Sequence, residues 1–354
     1  MRQMRMVVLV VAGILGAVLV PSGPAAAAPG NPGGRAYVPA EARAVNTSRP
    51  DRVVGNGTPA SCTSRAVVAA VAKGGVITFN CGPGRVVIRM TATAKVRNTS
   101  ARVVLDGGGK VTLSGMGKRR ILFMNTCDKS LVWTTSHCDD QAQPQLVLQN
   151  LTFADGNSTG ERLEGGGGGA VFVRGGRVKV VNSTFVRNRC DSTGPDLGGA
   201  ALRVLSQYRN LPVYVVRSTF GGAKGQGGVC SNGGAVSSIG VSWVILNSVM
   251  SYNKAIGRGA NPSRGGTPGG GSGGAIYTDG NRFTVQLSGS IIQNNTAREG
   301  GGAVFFVSND LTGTLRIDKS RLRNNPSAGF ETQGYPGIFY RGAGKPKITA
   351  SSLS

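Results

Sequence analysis

The sequence predicts an all-β protein: a single-stranded, right-handed parallel β-helix with a short N-terminal capping helix. Three observations predict it. A Gly-Gly-Ala motif followed by apolar residues recurs through the second half of the chain, a Phe-x-x-Asn type of motif alternates with it, and the segments between carry apolar residues at every second position. The first motif opens at Gly168, Gly198, Gly233, Gly273 and Gly301, and its alanines are separated by 30, 35, 40 and 28 residues. The second runs through Asn150–Phe153, Asn182–Asn188, Arg217–Phe220, Asn247–Asn253, Ser290–Asn295 and Ser320–Asn325.

A unit of about thirty residues holding two or three short strands cannot bury its own apolar face, so successive units must stack. Glycine interrupts every unit and no 3.6 period is present, which excludes helical repeats. A propeller would need four strands per blade at steadier spacing. A stacked coil explains the uneven spacing as one corner of variable length: nine residues between Asn188 and Gly198, nineteen between Asn253 and Gly273, five between Asn295 and Gly301. Such surface loops change length at little cost. Asn182 and Asn247 fall at a second corner, where a left-handed backbone favours Asn or Gly. Phe185, Phe220, Met250, Ile292 and Leu322 are then expected as one interior column.

The elements follow in chain order. Residues 1–28 have the layout of a secretory signal peptide, with Arg2 and Arg5 ahead of the apolar run Met6–Val20 and small residues at Ala25–Ala28. That run is shorter than the ~20 residues that span a bilayer. Residues 29–52, rich in Pro, Gly, Ala and Arg, are expected as a flexible leader, and 53–354 as the β-helix domain. Ser61–Lys73 has helical composition and is placed over the open end of the tube, which would otherwise expose strand edges. Strands are expected at Val76–Phe79, Val86–Ile88, Val103–Leu105, Val111–Leu113 and Leu146–Leu148, with turns at Gly82–Gly84 and Gly107–Gly109.

Six cysteines in an exported chain are read as paired by proximity: Cys62 with Cys81, Cys127 with Cys138, and Cys190 with Cys230. A zinc site would need more than one histidine or a C-x-x-C, and His137 is the only histidine. Forty Lys and Arg against sixteen Asp and Glu give a net charge of +24. A chain this basic is expected to associate with polyanions. Sparse aromatic residues argue against a single-stranded nucleic-acid platform.

The alternation of Gly-Gly-Ala-(Val/Leu/Ile) with Phe-x-x-Asn resembles the repeats of polymorphic outer membrane proteins and, more widely, secreted proteins of the pectin lyase-like fold. Asn56–Cys62, Gly74–Pro83 and Leu105–Gly109 look like the N-terminal coils of that group, and the likeness covers roughly residues 54 to 340. The resemblance implies a fold rather than an activity, because this fold hosts lyases, glycosidases, epimerases and adhesins. No barrel-forming domain follows the repeats, so insertion in an outer membrane is not implied.

Acid/base cleavage of a glycosidic bond requires paired carboxylates. The sequence offers one adjacent pair, Asp139-Asp140, near His137 in an expected disulfide loop. Lyases of the pectate type, by resemblance, hold calcium with aspartates, and calcium needs several converging oxygens. Asp155, Asp191, Asp196 and Glu299 all fall in or near the variable corner, the wall where any site would lie. The favoured expectation is a secreted, non-enzymatic, monomeric surface protein that binds anionic glycans or cell-wall polymers in the manner of an adhesin. Its candidate binding residues are Arg187, Arg316, Lys319, Arg321 and Arg323. Neither a metal nor a cofactor is expected on that reading. The alternative is a polysaccharide lyase or other carbohydrate-active enzyme on an acidic polysaccharide, and calcium enters only with it.

Overall fold

The apolar residues at every second position become strands, and each strand pairs in parallel with its counterpart one repeat later. The computed structural model describes residues 28–354, so the expected signal peptide lies, but for Ala28, outside the described residues. The chain is all-β, with three parallel sheets and, among the described residues, one α-helix. This is the arrangement of a parallel β-helix. The helix, Ser64–Lys73, begins three residues later than the composition suggested. Thr63 caps it by accepting from the Ala66 N–H, and Pro59–Ser61 forms a separate 3-10 turn. Its apolar side, Val67, Ala70 and Val71, packs into the tube interior with Val54, Ile77 and Val96.

One sheet carries the strands that follow the Gly-Gly-Ala motifs. Val171–Arg174, Leu202–Leu205, Val236–Ile239, Ile276–Gly280, Val304–Ser308 and Ile338–Arg341 lie side by side, with Ala94–Lys95 and Leu122–Asn125 before them. The register corrects one detail of the repeat. Leu202 pairs with Val171 and Val236, so Ala201 rather than Ala200 matches Ala170. The position that needs glycine is the first of the motif, with φ of 63° at Gly168, 73° at Gly199, 53° at Gly233, 69° at Gly273 and 62° at Gly301. Ala200 occupies the second.

The largest sheet carries two strand series that meet at the Asn corner. Asn150, Asn182 and Asn247 have φ of 53°, 47° and 52° there, as expected, but Arg217, Lys319 and Ala350 adopt the same conformation at 45°, 46° and 46°. The coil therefore imposes the turn even on residues that pay strain to enter it. Directly after the corner a buried serine recurs: Ser183, Ser218, Ser248, Ser290 and Ser320. Each backbone N–H donates to the serine Oγ of the next coil at 3.0–3.2 Å, ending on Ser351. Each Oγ in turn donates to a carbonyl two residues earlier in its own coil. This ladder satisfies backbone groups that would otherwise be buried without partners.

The expected interior column is present: Phe185 pairs with Phe220, Phe220 with Met250, Met250 with Ile292, and Ile292 with Leu322. Phe153 extends it, with ring centroids 4.9 Å from Phe185, which lies 4.6 Å from Phe220. All three expected disulfides form, with Cα–Cα distances of 5.6, 5.0 and 4.8 Å. No helix among the described residues is long and apolar enough to cross a membrane.

Residues 29–52, expected as a flexible leader, instead form a strap along the outside of the large sheet. The Gly30 N–H donates to Thr219 Oγ1 at 2.8 Å, and the Asn247 amide both accepts from and donates to the Ala36 backbone at 2.9 Å. Lys179 Nζ donates to the Glu41 and Arg43 carbonyls. Arg52–Val54 joins the sheet beside Gly75–Phe79. The physical reason is apolar: Ala42 is fully buried against Val181, Val216 and Leu246, which face outward and need cover. Composition alone does not disclose that need.

Candidate functional site

Alternation on the Gly-Gly-Ala sheet decides which side chains leave the core. Val171 and Val173 point into the tube, so Phe172 and Arg174 point out. Stacking turns these positions into two external columns. One comprises Phe123, Phe172, Arg203, Ser237, Tyr277, Phe305 and Phe339; the other comprises Arg174, Leu205, Ile239, Asp279, Val307 and Arg341. The first is buried as far as Phe305, while the second stays partly open and floors a cleft of about 780 Å³. Asp139, Asp196, Asn261, Pro262, Asn309 and Phe330 add to its walls.

The centre of the cleft is a hydrogen-bonded carboxylate pair. Asn261 Nδ2 donates to Asp196 Oδ1 at 2.7 Å and to Asp279 Oδ2 at 3.0 Å. Both oxygens therefore lie within a hydrogen-bond length of one nitrogen. Tyr277 Oη donates to the same Asp279 oxygen at 3.2 Å, and Asp279 Oδ1 accepts from the Gly280 N–H at 2.7 Å and from Asn309 at 3.3 Å. Burial pushes the Asp279 carboxyl above its ordinary value, against the pull of the Gly280 and Tyr277 hydrogen bonds, and the Asp196 charge adds to the rise. Burial raises the Tyr277 hydroxyl well above its usual range, and Asp279 reinforces this.

Arg203 lies beneath the pair. Its side chain is fully buried, Nη1 donates to Ser237 Oγ at 2.6 Å, and Nε has no partner. Burial lowers this guanidinium to about 10, although Tyr277 and Asp196 favour its charge. At one end of the cleft Arg174 clasps Asp139, Nε to Oδ1 at 2.8 Å and Nη2 to Oδ2 at 3.1 Å. That hydrogen bonding holds the Asp139 carboxyl below its ordinary value.

The structure sorts the acidic residues of the variable corner. Asp155 forms a two-pronged pair with Arg187 at 2.7 and 3.0 Å. Asp191 accepts from the Gly160 N–H and faces Arg162 at 3.5 Å. Glu299 takes the Gly259 N–H at 2.7 Å and both Arg264 nitrogens at 2.9 Å, which fastens the loop that carries Asn261. Of the four, Asp196 enters the cleft. Asp139 lines it, whereas Asp140 accepts from the Arg209 backbone and His137 is exposed on the loop. Among the described residues the one cluster with metal-ligand geometry is Cys127, Cys138 and Asp139. Both of its sulfurs are bonded to each other and cannot serve as thiolates.

The five basic residues expected to bind lie outside this cleft, on the large sheet. Lys319 and Arg321 share a shallow depression with Asn31 and Ser352. Arg316 projects from the neighbouring strand beside Lys347, and Arg323 donates to Gln293 at 3.1 Å. Arg187 is four coils away from Arg321 and already paired with Asp155. Sequence reasoning passed over Arg203, Asn261, Tyr277, Asp279, Asn309 and Arg341. The signal was present for two of them, because Tyr277 and Asp279 stand two and four residues after the motif alanine Ala275, the outward positions; Arg203 does so only once Ala201 is known to replace Ala200. No family model, curated protein or solved structure matches the chain.

Proposed function

We propose that the protein is a secreted, right-handed parallel β-helix of the pectin lyase-like kind that binds an anionic glycan in the cleft of the Gly-Gly-Ala sheet. One observation carries the reading. A single trough brings together carboxylates (Asp139, Asp196, Asp279), guanidinium groups (Arg174, Arg341) and partly exposed phenyl rings (Phe330, Phe339). Saccharide hydroxyls pair with the first two classes, and the C–H faces of pyranose rings pack on the third. The net charge of +24 raises the local concentration of a polyanion. Three disulfides fit an oxidising compartment, and right-handed crossovers are the rule for parallel strands. The polymorphic outer membrane protein type of repeat rests on the motifs themselves.

The test is a panel of polygalacturonate, alginate, hyaluronan and a neutral glucan, scored for both retention and product release. Retention of an acidic member that weakens with salt and with Arg341→Ala supports the reading; retention unchanged by any cleft substitution overturns it. A second reading, cleavage of the bound glycan, is favoured by the raised Asp279 beside Asp196. Glycosidic hydrolysis uses two carboxyl groups in different environments, one of them raised toward the acid role. New reducing ends lost in Asp279→Asn would support hydrolysis, and an unsaturated product absorbing near 235 nm would support a lyase.

A further inference from the structure

We propose that the cleft is blind at one end and receives the terminus of a glycan chain rather than its interior; this rests on the glycan-binding reading above. The floor runs from Arg174 to Arg341 through six neighbouring strands, roughly 24 Å at about 4.8 Å per strand. At Arg341 it is open, since that side chain is exposed and Phe339 is partly so.

The other end is walled. Asn125 is the floor position one strand before Arg174, and it is 0 % exposed. Beside it Phe123 and Phe172 are 5 % and 0 % exposed, packed under Leu131. Leu131 belongs to the segment between Cys127 and Cys138, whose ends are joined by their disulfide. Three contacts fasten this segment across the floor. Asp139 pairs with Arg174, Thr126 Oγ1 donates to the Cys138 carbonyl at 2.5 Å, and the Asp140 carboxylate takes the Arg209 N–H on the flanking loop. A polymer lying along the floor cannot continue past this wall, so a chain that reaches Arg174 does so with its end. The charged faces of Asp139 and Arg174 then meet the terminal sugar. Asp279 stands three strands further on, roughly 14 Å from the wall, so a linkage a short oligosaccharide from the end lies over the carboxylate pair.

The test is binding stoichiometry. Two size fractions each of polygalacturonate, alginate and hyaluronan are titrated by calorimetry into the full secreted chain. The salt is about 0.5 M, where the screening length of about 4 Å suppresses attraction to the basic exterior. Capture of ends gives the same number of protein molecules per glycan chain for the short and the long fraction. A number that rises in proportion to length overturns the proposal and leaves glycan binding standing. The titration is repeated at about 0.15 M salt, where the screening length is about 8 Å, and no binding by any fraction at either salt overturns both. The double variant Asp139→Ala/Arg174→Ala, with its melting temperature checked against the parent, is expected to lose about tenfold in affinity for chain ends. Unchanged end affinity in a folded variant also overturns the proposal.

Discussion

The two outer faces of the coil are built by the same repeat and end in opposite states. On the large sheet the outward residues Val181, Val216 and Leu246 are apolar, and the strap of residues 29–52 covers them with Ala42. On the Gly-Gly-Ala sheet the outward residues include Arg203, Tyr277 and Asp279, and loops from the variable corner enclose them without filling the trough. The strap satisfies its sheet: the Asn247 amide and the Lys179 ammonium both find backbone partners. The cleft leaves Arg203 Nε unpaired in the interior. Outward apolar residues draw cover from the chain itself, whereas the polar and charged residues of the other face do not need it, and its trough stays open.

The largest expected effect tests what both faces share. Phe185→Ala removes a ring stacked between Phe153 and Phe220 and is expected to cost about 3–5 kcal/mol, read from the denaturant midpoint. It should weaken strap and cleft together. Ala42→Asp separates them. A carboxylate placed against Val181 and Leu246 would be buried without a partner, which is costly enough to lift the strap instead, and residues 29–45 should become susceptible to proteolysis. Glycan affinity at the cleft should stay within twofold; a parallel loss there would mean that the two faces are coupled.

The pH response sharpens the contrast within the cleft. Asp279 is raised in the folded state from 3.8, so the native form holds a proton that the unfolded chain releases earlier. Its contribution is full below the ordinary carboxylate value and is lost as pH rises through the folded one. Asp139 is lowered by Arg174, so its contribution is present above the ordinary value and lost as pH falls through the folded one. Relative to the parent chain, Asp279→Asn should therefore gain stability, and Asp139→Asn lose it, as pH is raised from 3 to 7. Parallel curves from thermal melts would break the assignment. The smallest effects are at exposed charges: Arg341→Ala should weaken an acidic glycan by no more than about fivefold, while Arg187→Ala, already paired with Asp155, should change affinity less than twofold.

How far this was legible in sequence varied by element. Phe185, Phe220, Met250, Ile292 and Leu322 declare themselves as a column because each sits at the same offset from its corner, and the coil converts equal offset into vertical neighbourhood. The serine ladder was overlooked although it follows the same offset, since serine reads as a loop residue until its burial is known. The shift from Ala200 to Ala201 was hidden because the two alanines are alike in sequence, and the strand register and the positive φ of Gly199 distinguish them. Asp196 and Asp279 carry no mutual signal. They come from coils two repeats apart and meet through Asn261, which sits on a loop of different length again.

The amino-acid order by itself determined the axial plan: parallel strands, the left-handed corner, the interior column and the three disulfides. The strands and the column depend on contacts between residues one repeat apart, and a repeat writes that spacing into the chain; the corner is local, and the disulfides followed from pairing each cysteine with its neighbour in sequence. Only the tertiary structure decided the lateral plan, namely which face the strap covers, which acidic residues fasten loops and which meet in the cleft, and where the disulfide-closed segment walls it off. Those contacts join segments with no fixed separation in sequence, and their geometry depends on how each loop packs against surfaces that exist only once the coil has formed.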